Sequence, residues 1–126
     1  MESLCIDSDV LIDFLRGKPE AAGKMRAAEG RYFLCTTACN AYELLAGAVS
    51  PARRTAVIRL LDRLRVLPLT RAAAEKSAET GAALKARGQG LPLADLLIAG
   101  TALENKCLLL TGNRKHFEKI PGLALL

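Results

Sequence analysis

The sequence predicts a single α/β domain spanning residues 1–126, with a short central parallel sheet flanked by helices on both faces. Three observations lead there. Short, continuously apolar runs recur along the chain, as strands buried on both faces require. Segments with helix-cap and proline signatures lie between them, giving a strand–helix alternation. No internal repeat, low-complexity tract or linker divides the chain.

Leu4-Cys5-Ile6 reads as the first buried strand, and Asp7-Ser8-Asp9 supplies capping side chains for a helix over residues 10–16 that Gly17 ends. Pro19 suits the first turn of a second helix, running to about residue 28, and Gly30 breaks it. Residues 31–35 read as a second strand, with Thr36 and Thr37 both able to cap a helix through about residue 49. Ser50-Pro51 opens another helix to about residue 65, and Val66-Leu67 makes a short strand before Pro68. Thr70 caps an alanine-rich helix to about residue 87, and Gly88-Gln89-Gly90 makes a turn. A strongly apolar helix begins at Pro92 and ends near residue 105. A buried strand over residues 107–110, a loop at Thr111-Gly112-Asn113 and a candidate last strand over residues 123–126 complete the chain.

Size and composition narrow the function classes. At 126 residues, 51% hydrophobic and 25% charged, the chain can bury a sizeable core and reads as soluble. No apolar run approaches the roughly 18 residues of a membrane span. The N-terminus lacks a basic region and a small-residue cleavage site, so the expected location is cytoplasmic. Cys5, Cys35, Cys39 and Cys107 have no C-x-x-C spacing, which argues against a structural zinc site, and three of them fall in apolar strand-like segments where a free cysteine acts as a small hydrophobe. Eighteen Lys and Arg against thirteen Asp and Glu give a formal charge of +5, a balance that favours a polyanionic partner.

Against that basic background, three acids sit inside apolar stretches with no cation in the same stretch. Asp7 follows Leu4-Cys5-Ile6, Glu43 lies between Ala41-Tyr42 and Leu44-Leu45, and Asp95 lies between Leu93-Ala94 and Leu96-Leu97-Ile98. Drawing a carboxylate toward a core costs several kcal/mol per ion, on the order of magnitude known for buried charges, unless something positive or hydrogen-bonding meets it. Asp7 and the Thr111 loop both fall at the carboxyl edge of the sheet, where open α/β folds bind ligands. Asn40, Glu43 and Gly47 share one stripe of their helix, and Asp95 occupies the first turn of its own. Singly, each acid has a structural explanation, as a cap, a surface residue or a macrodipole partner. Together, hard oxygen ligands without histidine or thiolate companions select Mg²⁺ or Mn²⁺ over zinc.

The runs Asp7-Ser8-Asp9-Val10-Leu11-Ile12-Asp13, Glu43-Leu44, Leu93-Ala94-Asp95-Leu96-Leu97-Ile98-Ala99 and Thr111-Gly112-Asn113-Arg114-Lys115-His116-Phe117 resemble the successive motifs of PIN-domain ribonucleases. Within that family they are most similar to VapC toxins of toxin–antitoxin pairs. The resemblance implies that Asp7, Glu43 and Asp95 are the acidic active-site residues, with Asp7 and Asp95 the direct metal ligands. Asn113 falls where many relatives carry a fourth aspartate and others an asparagine, which leaves one versus two metals open. Ser8 and Thr111 are then the hydroxyls that orient the carboxylates. The resemblance further implies hydrolysis of an RNA phosphodiester by metal-activated water, a cognate VapB-type antitoxin that covers the pocket, and a homodimer. Leu11, Leu15 and Met25 could serve a partner or the core.

His116, before Phe117, is expected to pack structurally. Asp9 is expected to cap or support Asp7, and Asp13 to face outward. The arginines Arg53, Arg54, Arg59, Arg63, Arg65 and Arg71 are candidates for guiding the RNA backbone, or form a solvated helix face. Low aromatic content, 4% with no Trp, argues against base stacking as the main mode of recognition. Asp7-x-Asp9-Val10 also imitates the nucleophile motif of haloacid-dehalogenase phosphatases, but Asn113 stands where that chemistry wants an acid. A phosphate-receiver module would want an aspartate after Val66-Leu67. A housekeeping PIN nuclease of RNA maturation and a non-catalytic RNA-binding module are the remaining alternatives.

Overall fold

In the computed structural model, which describes residues 1–126, four parallel strands run in the order β3-β2-β1-β4. They are β1 (Ser3–Ile6), β2 (Phe33–Thr37), β3 (Arg65–Leu67) and β4 (Leu108–Leu110). Helices α1 (Ser8–Leu15) and α2 (Pro19–Ala28) connect β1 to β2, and α3 (Ala38–Gly47) and α4 (Pro51–Asp62) connect β2 to β3. Helices α5 (Arg71–Ala86) and α6 (Leu93–Glu104) connect β3 to β4, and the short α7 (Arg114–Phe117) follows. No helix is long and apolar enough to cross a membrane.

Alternation along β1 divides the interior in two. Leu4 and Ile6 point into one core with Val10, Leu11, Met25, Leu44, Val57 and Leu60, beneath α1 to α4. Cys5 points into the other with Cys35, Leu84, Ile98, Leu109 and Phe117, beneath α5 to α7. The predicted sheet covered on both faces is therefore the observed one. Cys5, Cys35 and Cys107 are buried free thiols in this second core, acting as the small hydrophobes expected of them.

The strand order places the carboxyl ends of β1 and β4 side by side, with Ile6 opposite Leu110. Between β1 and its two neighbours the direction of connection reverses, which is where such sheets open a crevice. Asp7 leaves β1 at that point, its backbone N–H donating to Leu110 O at 2.9 Å.

Several boundaries differ from expectation by a few residues, α4 for instance ending at Asp62. Strand β2 runs two residues later, because the N–H groups of Arg31 and Tyr32 both turn back to Ala28 O after Gly30. Thr36 therefore belongs to the strand, donating its hydroxyl to Ile6 O at 2.8 Å, and Thr37 alone caps α3. Pro92 is the N-cap of α6 and not its first residue, so Leu93 opens the helix. Residues 123–126 form no strand; a single parallel bridge joins Leu125 to Leu109.

Helices α5 and α6 approach each other closely at Gly100. A Cβ at Gly100 would lie 1.9 Å from Ser77 Oγ and, more seriously, 2.7 Å from Ser77 N and 2.8 Å from its Cα. Rotating a side chain cannot relieve a clash with backbone. Gly100→Ala is expected to destabilise the fold by about 3 kcal/mol, at the upper end of ordinary overpacking. Urea unfolding of Gly100→Ala and of Ser77→Ala/Gly100→Ala checks it, the second change giving little relief.

Candidate active site

Asp7 is 7% exposed and lies at the centre of the site. Its Oδ1 accepts from Ser8 N at 2.8 Å and Asn40 Nδ2 at 3.0 Å, and its Oδ2 accepts from the Thr111 hydroxyl at 2.7 Å. All three donors come from positions the fold dictates. Ser8 is the first residue of α1, Asn40 lies in the first turn of α3, and Thr111 follows β4. No Lys or Arg pairs with Asp7, Asp9 or Glu43.

Asn40 is completely buried and uses its whole carboxamide. Its Oδ1 accepts from Thr37 N at 3.2 Å and the Thr37 hydroxyl at 2.7 Å, closing a capping box, while Nδ2 donates to Asp7 and, at 2.8 Å, to Ser8 Oγ. The Ser8 hydroxyl in turn donates to Glu43 Oε1 at 2.8 Å. Asp7 and Glu43 are thus joined through two neutral side chains, with every donor and acceptor matched.

A second branch runs from Thr111. Its Oγ accepts from Asn113 N at 3.0 Å, the Asn113 carboxamide meets His116 Nδ1 at 2.9 Å, and Nδ1 lies 2.6 Å from Asp95 Oδ2. The structure therefore brings Asp7, Glu43, Asp95, Asn113, Ser8 and Thr111, all named from sequence, into one hydrogen-bonded network. Asp9 joins beside it: its Oδ2 accepts from Gly112 N at 2.9 Å, an approach that a Cβ on Gly112, 2.6 Å from that oxygen, would prevent. Asp13 faces outward and pairs with Lys18 at 3.3 Å.

His116 is the main correction to the sequence reading. Phe117 takes the core position, fully buried, whereas His116 is part-exposed and contacts an active-site acid. Sequence reasoning also missed Asn40 as a site residue, although its capping-box spacing from Thr37 and its shared stripe with Glu43 were both visible. Cys39, in α3, lies within the field of the same acids. Burial first, then the charges of Glu43, Asp7 and Asp95, pushes its thiol up, so all three acids act on one neighbouring atom.

Burial likewise raises Asp7 above the ordinary carboxylate range; the Thr111 bond opposes that, Asp9 adds to it, and the bonds from Ser8 and Asn40 oppose it. The acids also suit a cation. One acceptor position on Asp7 Oδ2, the whole of Glu43 Oε2 and the whole of Asp95 Oδ1 have no protein partner, so each acid keeps an oxygen to offer. No three His, Cys, Asp or Glu side chains converge as a ready-made coordination sphere. Hard oxygens in that number fit an ion that keeps much of its own water, as Mg²⁺ does.

Alongside Glu43, between α1 and the α3–α4 pair, lies an apolar groove of about 450 Å³. Ile12, Leu15, Leu44, Ala48 and Val57 line it, with Arg16, Glu43 and Arg53 also contributing.

Comparison with known proteins follows the same boundaries. The PIN domain profile matches residues 4–123. The chain is 33% identical over 120 residues to ribonuclease VapC10 of Mycobacterium tuberculosis, covering 95% of this chain and 90% of that one. It is 29% identical over 127 residues to the tRNA(fMet)-specific endonuclease VapC of Shigella flexneri, covering 98% and 96%. Among solved structures, DNA-bound VapBC from Salmonella typhimurium superposes with a TM-score of 0.87 at 28% identity, covering 100% of this chain and 98% of that one.

The raised Asp7 group makes a stability prediction. A carboxyl whose folded pKa exceeds its unfolded one binds more protons when folded, so its contribution is present in full below the unfolded value and is lost as pH rises through the folded one. In EDTA at neutral pH, Asp7→Asn is expected to melt above the intact protein, with the gap narrowing as pH falls through the raised folded pKa and closed below about 4, the ordinary aspartate range. The amide keeps the Ser8 and Asn40 bonds and can donate to Thr111 Oγ. Thermal melts of both proteins from pH 3 to 8 decide it; a variant less stable at pH 7 would contradict the account.

Proposed function

The chain belongs to the PIN-domain family, and from that premise we propose that it is a Mg²⁺- or Mn²⁺-dependent endoribonuclease, the toxin of a VapBC pair working in the cytoplasm. The observation that carries this reading is the cation-free carboxylate cluster on one sheet edge, in which buried Asp7 is connected by hydrogen bonds to Glu43 on one side and toward Asp95 on the other. A site whose three acids have no Lys or Arg partner, on a protein of net charge +5, is suited to hold a divalent ion and a phosphodiester together.

Asp7 and Asp95 would hold the ion, Asp7 through the acceptor position left on Oδ2 and Asp95 through Oδ1, which has no protein partner. When bound, a divalent cation supplies water activation and offsets the charge that gathers on the phosphate in the transition state. Ser8 and Asn40 fix the directions of Glu43 and Asp7, so that Glu43 can orient the attacking water. The Thr111 hydroxyl keeps Asp7 from rotating. Surface Arg and Lys side chains steer the RNA backbone through a sequence-independent attraction that weakens with salt. Water attack leaves a 5′-phosphate and a 3′-hydroxyl.

The likeness to VapBC assemblies supports a VapB-type antitoxin as partner. The groove beside Glu43 is mainly apolar, with Arg16 and Arg53 also in its lining, and includes Glu43 itself, so a peptide segment seated in it would reach that acid. A homodimer belongs to the same proposal; exposed Tyr42, Val49 and Leu93 are apolar surface that a second copy could cover.

The test is cleavage of a labelled structured-RNA panel with Mg²⁺, with Mn²⁺ and with EDTA. Cutting in either metal, abolished by EDTA and reduced more than about a hundredfold in Asp95→Asn, is the expected result, a direct ligand costing at least as much as an orienting neighbour. Products ending in a 2′,3′-cyclic phosphate would overturn the mechanism, and no cutting by the folded, antitoxin-free protein would favour an RNA-binding module.

A further inference from the structure

We propose that His116 is a positioning residue of the site, its Nδ1–H holding one oxygen of Asp95 so that the other is presented to the divalent ion; this rests on the metal-dependent reading above. The argument begins with what one ring nitrogen can do. Nδ1 carries either a proton or a lone pair, and it stands 2.6 Å from Asp95 Oδ2. A carboxylate only accepts, so the proton is on Nδ1. The Asn113 carboxamide, 2.9 Å from the same nitrogen, must then turn its oxygen toward that proton, since its NH₂ would face another donor; the two ends of the amide are nearly the same size. Asn113 and Asp95 thus share one N–H, and Nε2 is left without a protein partner.

The helix on which Asp95 sits removes the usual competitor. Asp95 is the third residue of α6, a position from which an acidic side chain normally folds back onto the backbone N–H of the N-cap. Here the N-cap is Pro92, which has no N–H to offer. Asp95 is therefore free of capping, is only 19% exposed, and has His116 as its sole protein partner. Without that bond, nothing among its hydrogen-bonding neighbours selects a rotamer.

The ring is itself well anchored. Phe117 is fully buried next to it, and His116 N donates to Asn113 O at 3.2 Å. Asn113 N donates to the Thr111 hydroxyl that holds Asp7. One six-residue segment, 111–116, consequently sets the direction of both proposed metal-holding carboxylates.

Three substitutions separate this role from a packing role. In His116→Asn the amide nitrogen stands where Nδ1 stood, in His116→Gln it stands where Nε2 stood, and His116→Ala has neither. Mn²⁺ affinity is read by electron paramagnetic resonance titration of each protein, with melting temperatures to establish that each is folded. The expected result is a loss of about 10- to 100-fold for Ala and Gln, the range known for groups that orient metal ligands, and substantial recovery in Asn. Folded His116→Ala binding Mn²⁺ as tightly as the intact protein would overturn the inference, as would recovery by Gln and not by Asn. An intact protein that binds no Mn²⁺ would instead remove the metal reading itself, and this inference with it.

Discussion

Everything at the functional edge of this protein depends on keeping a charged Asp7 in place where the sheet is nearly closed to water. Coulomb attraction to a basic residue is the usual remedy, and it is absent. Three hydrogen-bond donors from three separate elements take its place. They oppose the burial cost without cancelling it, which is why the group remains above the ordinary carboxylate range. A neutral set of donors stabilises the anion while leaving its charge available, whereas an arginine in the same position would have neutralised the site it served.

That arrangement explains why polar residues otherwise rare in cores are completely buried here. Thr36, Thr37, Asn40 and Thr101 are at most 1% exposed, and no buried side-chain nitrogen or oxygen lacks a hydrogen-bond partner. Two of the four, Thr37 and Asn40, belong to the carboxylate network, and a third, Thr36, pins β2 to the residue before Asp7. The strength of such a network lies in its completeness, since a single missing partner would leave a buried dipole unmatched.

How much of this could be read from the chain follows from the range of the forces involved. The sheet, its covered faces and the strand-end placement of Asp7 and Thr111 rest on apolar runs and cap residues, which are local signals. The acids were visible because a carboxylate inside an apolar run is conspicuous whatever surrounds it. Asn40 was less visible, because a buried asparagine resembles a capping residue until its second pair of hydrogen bonds is known. His116 was misplaced for a similar reason: the neighbouring Phe117 explained the segment's burial, and nothing local reveals that Asp95, 21 positions earlier, lies against the ring. The shift of β2 came from the turn after Gly30, where two N–H groups converge on one carbonyl, a geometry that propensity does not encode.

The pairing of β4 with β1 has a consequence for the order of events during synthesis. Thr111 reaches Asp7 across 104 positions of sequence, and β4 forms one edge of β1. A chain still emerging from the ribosome has Asp7, Ser8, Asn40 and Glu43 long before it has Thr111, Asn113 or His116. Its first strand waits with one bare side, and the carboxylates proposed to hold the ion have neither their partner hydroxyl nor their imidazole. The site is thus assembled only once residues 111–116 have followed the rest, so a nascent chain that lacks them is spared the activity proposed for the folded molecule.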